Sequence, residues 1–289
     1  MIPKSAKLIA ALGILWLSFT ISLPLRAQDA PALDSASAPA NGAAAAQPAQ
    51  TLQPAPAAPQ SPAPASPDRA VSWVGLVPNL LHDQKDIWFF PFSVARGHHW
   101  KPVLVFTLVT ATLVATTDNP SGRYFQRTQS FNEFNSIFRD SHTASAMFAF
   151  PVAFYGIGLI RRDSYAQHTF LLAGEAAIDS TLLTTVMKDI SRRVQPDNVP
   201  VGGSFADPWF QEHGSVLGGI GSFPCGHCID AFSVATVFAD RYPKYKWVAY
   251  GLAGLVSFTR ITLQAHNPSD AFAGAFLGFT IAHYTVQQY

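Results

Sequence analysis

Charge is scarce in this chain: Asp, Glu, Lys and Arg make up 13% of 289 residues, and the formal net charge is +1. So weak a field gives nothing to recruit nucleic acid or an acidic partner. Cysteine is scarcer still, since Cys225 and Cys228 are the only two. The apolar stretches lack the short alternating pattern and hairpin dipeptides of a β domain. Internal repeats are missing as well. His98, His99, His142, His168, His213 and His283 have no acidic or thiol neighbours at metal-ligand spacing, and read as surface or loop residues. What abounds is apolar, at 48% of residues with 22 Phe. That balance suits a very apolar core or a membrane-embedded helical domain better than an ordinary cytosolic enzyme.

Lys4 and Lys7 precede an uncharged, largely apolar run from Leu8 to Leu25, followed by Arg26 and Ala27. This is the layout of a secretory signal over residues 1–27, to be cut or kept as an N-terminal anchor, and it predicts export to the cell envelope. Between Ala30 and Pro67, 24 of 38 residues are Ala or Pro and Asp34 is the only charge. Such a stretch cannot bury enough apolar surface to offset its ordering entropy, so residues 28–70 read as a disordered linker. The folded unit is therefore 71–289, of single-domain size.

Within it, apolar runs lie near Pro102–Thr117, Thr143–Ile160, Thr169–Met187, Ile229–Ala239, Trp247–Phe258 and Ala271–Val286. They predict an all-α bundle of about six core helices. Several fall short of the roughly 20 residues that a bilayer crossing needs, so membrane association is expected without a count of spans. Glu175 and Asp179, one turn apart, read as structural bonds to neighbouring helices or loops.

The stretch Ser222–Cys228 supports two chemistries. As Cys-Gly-His-Cys it is a thioredoxin-like dithiol, which needs a βαβ context that the apolar helices around it do not provide. As Phe-Pro-Cys-Gly-His at a helix start it offers His227, backbone amides and the positive end of a helix dipole to an oxyanion. Two further segments favour the second reading. Lys188 ends an apolar helix before Gln195-Pro196, and Thr259-Arg260 precedes His266-Asn-Pro-Ser-Asp270. Lys188 and Arg260 are cations suited to a phosphate. Two histidines can divide nucleophile and general acid between them, and Asp270 can fix the tautomer of His266. Pro268 places His266 on a turn, with Asp270 near the next helix start.

At these residues the chain resembles the type 2 phosphatidic acid phosphatase family, which shares its all-α fold and anion site with vanadium haloperoxidases. The family pattern is Lys, six residues, Arg-Pro; then Pro-Ser-Gly-His; then Ser-Arg, five residues, His, three residues, Asp. Here it reads Lys188, six residues, Gln195-Pro196; Pro224-Cys-Gly-His227; and Thr259-Arg260, five residues, His266, three residues, Asp270. The resemblance implies hydrolysis of a phosphomonoester or diphosphate, free or lipid-linked, with no metal and no cofactor. It makes His266 the nucleophile of a phosphohistidine, His227 the acid for the leaving oxygen and Asp270 the partner of His266. Lys188, Arg260, Gly226, Cys225 and Gln195 fall at the phosphate-binding positions.

Gln195 stands where the family has arginine, Cys225 where it has serine, and Thr259 where it has another serine. Losing a charge-assisted contact removes roughly 1.5–3 kcal/mol, or about one to two orders of magnitude in rate if it acts in the transition state. The expectation is a slowed phosphatase, with Arg193 placed to swing in for Gln195. The alternative is an impaired anion- or lipid-binding pseudophosphatase. A Cys225–Cys228 disulfide would enclose His227 and threaten to misplace it.

Overall fold

The computed structural model describes residues 69–138, 140–206 and 208–289. The signal or anchor at 1–27 and nearly all of the linker at 28–70 lie outside the described residues. No strand occurs among the described residues, and the all-α expectation holds.

All six apolar runs are helical. They fall in α2 (Trp100–Leu113), α5 (Asp140–Arg161), α6 (Ser164–Ser191), α7 (Gly226–Arg241), α8 (Lys246–Thr262) and α9 (Pro268–Gln287). Among the described residues three further α-helices join them: α1 (Leu76–Ala95), α3 (Asn119–Arg127) and the short α4 (Asn132–Ile137). A π-turn at Val114–Asp118 runs α2 into α3. Polar residues interrupt α1 and α3, so neither shows as an apolar run.

Helix α7 sits at the centre, packed on α6, α8 and α9. Small side chains let the backbones approach. A Cβ on Gly278 would stand 2.2 Å from the Ile229 carbonyl oxygen, and one on Gly274 2.5 Å from that of Cys225. Between α6 and α7, the Ser180 and Ser233 hydroxyls meet at 2.6 Å. Leu172, Ile229 and Val237 are fully buried, each contributing about 1.5–3 kcal/mol. Phe150, Phe154, Phe238 and Tyr242 form an aromatic cluster, with the Phe154 and Phe238 rings 4.8 Å apart.

Local signals set the helix ends. The Asp163 carboxylate accepts from Ala166 N at 3.1 Å to start α6, which stops where Arg192 turns left-handed at φ 43°. At the head of α9, Pro268 occupies the first turn and Asp270 reaches back to accept from Asn267 N at 2.8 Å. Because α6 and α8 end where α7 and α9 begin, the three motifs meet at one end of the bundle.

Candidate active site

His266 lies in the bend between α8 and α9, 4% exposed. Its backbone N–H, with that of Ala265, is held by the Arg260 carbonyl at 3.1 Å. In the ring, Nδ1 stands 2.6 Å from the Ser222 carbonyl oxygen. A carbonyl only accepts, so Nδ1 carries the proton and Nε2 keeps its lone pair. The Asp270 carboxylate is 3.9 Å from Nδ1. Ser222, rather than Asp270, is thus the nearest partner fixing the tautomer.

Asp270 is fully buried and engaged elsewhere. It accepts from Arg193 Nη1 at 2.5 Å on one oxygen and from Asn267 N at 2.8 Å on the other. Burial pushes its carboxyl up to about 6, against the opposing pull of Arg193. Arg193 is itself completely buried. It donates to Asp118 and to the Phe205 carbonyl at 2.7 Å each and to Ser269 Oγ at 2.8 Å, with its guanidinium 4.5 Å from the Trp209 ring centre. This corrects one expectation. Bound to two carboxylates, Arg193 cannot swing out to replace an arginine at position 195. Its carbonyl accepts from Ser222 N at 2.8 Å, so Arg193 holds both the carboxylate and the carbonyl behind His266. Gly221, at φ +130°, lets the chain pass 3.2 Å from the Lys188 carbonyl oxygen, measured to where a Cβ would be.

The cations converge on His266. Burial first, then the charges of Lys188, His227 and Arg260, hold its pKa well below the usual imidazole value, opposed by the bond to Ser222. Lys188 Nζ stands 3.8 Å from where a Gly226 Cβ would be, against the first residue of α7. Arg260 is fully buried. Its Nε faces Thr259 Oγ1 at 3.2 Å, and one terminal nitrogen donates to the Phe138 carbonyl and to Thr143 Oγ1. His227 is half-buried in the first turn of α7. Gln195 caps the short turn Pro196–Asn198, which is tied to the stretch before His266 by Asp197 N donating to the Gln264 carbonyl at 3.0 Å.

Cys225 and Cys228 form a disulfide, and both residues are fully buried. The bridge fits within the first turn of α7, where Cys225 Sγ accepts from Cys228 N at 3.1 Å. It therefore leaves His227 in regular helix. A buried bridge also offers no sulfur to another protein's thiols, which removes the basis of a dithiol exchange function.

Sequence reasoning missed Asp118, Ser222 as a ring partner, and Asp230. Asp118 did leave a trace, as a lone carboxylate directly after the apolar run Pro102–Thr117, a residue type rarely buried unpaired. Asp230 accepts from Thr181 Oγ1 at 3.0 Å, and burial pushes it up to about 7 against the pull of Lys188. Away from the site, Glu175 accepts from Tyr289 and Asp179 from Gln84, each at 2.8 Å. His283 pairs with Asp240 at 2.7 Å, and the side chain of His142 lies outside the described part.

The family model of the PAP2 superfamily matches residues 167–289. Lipid A 1-phosphatases of Rhizobium etli and Rhizobium johnstonii are each 31% identical to this chain over 99 residues. That stretch is 34% of this chain and spans 41% and 39% of the two relatives. A solved transmembrane PAP2-type phosphatidylglycerolphosphate phosphatase from Bacillus subtilis aligns over 74% of this chain and 94% of its own, at 20% identity and a TM-score of 0.35. Lys188, His227, Arg260, His266 and Asp270 all fall inside the residues that match the PAP2 superfamily model.

Proposed function

We propose that this chain is a phosphatase of lipid-linked phosphate, working at a membrane through a phosphohistidine on His266. One observation carries the reading: His266 is buried with Nδ1–H bound to Ser222 and Nε2 left as the base, under the charges of Lys188, Arg260 and His227. A depressed pKa keeps that nitrogen unprotonated and nucleophilic at neutral pH.

Nε2 attacks phosphorus and the bond to the leaving oxygen breaks, with His227 giving that oxygen its proton. Lys188, Arg260 and the Gly226 amide at the positive end of α7 draw on the phosphoryl oxygens as charge develops. A water then attacks phosphorus, His227 takes back a proton, the P–N bond breaks and His266 returns neutral. The names of the Rhizobium relatives support a lipid phosphate as substrate, and the exposed apolar run Trp100–Arg127 supports a membrane setting.

A second reading has its own support. The Cys225 sulfur is occupied by the disulfide and Gln195 carries no charge, so two phosphate contacts of the family pattern are missing. That favours a binding protein with little turnover. Hydrolysis of p-nitrophenyl phosphate by the purified full chain, beside His266→Ala, separates the two. The phosphatase reading expects turnover that His266→Ala abolishes. Equal background from both proteins would leave only the binding role.

A further inference from the structure

The Cys225–Cys228 bridge takes no part in the chemistry above, yet it encloses His227 and Gly226, the residue of α7 that stands against Lys188. We propose that this disulfide is a covalent clasp positioning the phosphate site, so that reducing it weakens both phosphate binding and turnover. The proposal rests on the phosphatase reading for turnover, but not for binding.

Packing carries the argument. Helix α9 lies directly on the clasp: a Cβ on Gly274 would stand 3.1 Å from Cys228 Cβ and 2.5 Å from the Cys225 carbonyl oxygen. Cys225 N donates to the Asp270 carbonyl at 3.1 Å, tying the clasp to the turn that carries His266 and Asp270. Both cysteines are 0% exposed. A dithiol reductant delivers two electrons and two protons, cleaves S–S to two S–H groups and is itself oxidised to a disulfide. Two unbonded sulfurs fill more space than one S–S bond, and Gly274 of α9 already lies against both cysteines. The first turn of α7 must then move off α9, taking Gly226 and His227 out of register with Lys188 and His266. Burial also means that reductant arrives only when this turn opens, so the clasp is slow to reduce.

The test uses the full chain, oxidised or reduced with dithiothreitol, with thiols counted by alkylation and mass spectrometry. Inorganic phosphate affinity and p-nitrophenyl phosphate kcat/KM are measured on both forms. Reduction to two thiols is expected to weaken phosphate affinity and kcat/KM about tenfold each, near 1.4 kcal/mol, and reoxidation to restore both. Cys228→Ser is expected to match the reduced form and to ignore dithiothreitol. Unchanged affinity and kcat/KM in fully reduced protein would overturn the clasp, as would no phosphate affinity in either form. If oxidised protein binds phosphate but turns over no more than His266→Ala, the phosphatase reading fails. The affinity comparison then judges the clasp alone.

Discussion

A buried guanidinium between two carboxylates holds only as a set. Arg193, Asp118 and Asp270 are all 0% exposed, so removing the cation leaves two carboxylates buried without compensation. Arg193→Ala is expected to lose about 3–5 kcal/mol in urea denaturation, with Arg193→Lys recovering part of it. A loss under 1 kcal/mol would mean that water enters and screens the pair. His266 gives a second prediction at this scale. Burial and then Lys188 lower its pKa, so removing the ammonium must raise it. Lys188→Met should shift the His266 ring titration upward by NMR, and the acid limb of kcat/KM should move with it. An unmoved titration would place the ammonium away from the ring. Residue identities here were largely legible in the sequence, because Lys188, His227, Arg260, His266 and Asp270 keep the family's gaps. Their bonds were not. The nearest partner of His266 is a backbone carbonyl, which leaves no mark in sequence, and Asp118 lies 75 positions from Arg193.

Among the helices, the close seam between α7 and α9 sets where the motifs meet. The obstacles to a larger side chain at Gly278 are the backbone atoms of Ile229, which cannot rotate away. Gly278→Ala should therefore cost about 1–3 kcal/mol by overpacking, seen as a lower Tm. Because α7 carries Gly226 and His227, kcat/KM should fall as well. Gly254→Ala on α8, where no atom stands within 4 Å of an added Cβ, is the matched control and should leave Tm unchanged or raised. Helix count was legible only where apolar runs announce it. Helix α1 escaped notice because His82, Asp83, Gln84, Lys85 and Asp86 interrupt its apolar residues. Its polar groups find partners that only the fold reveals: Arg69 bonds Asp83, and Gln84 donates to Asp179.

At the scale of the whole molecule, the open question is what covers the run Trp100–Arg127. It is 28 residues long and, of its most apolar stretch, 0% is buried inside the protein. At 1.5 Å per residue it extends about 42 Å, enough for a hydrocarbon core of about 30 Å. Trp100 lies at one end, and Arg123, Tyr124 and Arg127 at the other, the residue types that settle at membrane interfaces. The second long apolar helical run, Ser164–Asn198, is 44% buried over the equivalent stretch. If the proposed membrane setting holds, a bilayer covers the first run, and the chain should stay in the membrane pellet through an alkaline carbonate wash. Leu104→Lys with Leu108→Lys should release a larger fraction while leaving the site alone, since these side chains are 45% and 57% exposed. The fraction released, compared with wild type on the same gel, reads the effect. Release of the wild-type chain by carbonate would instead assign this face to a protein partner. The wash therefore decides between a bilayer and a protein as the cover of this face.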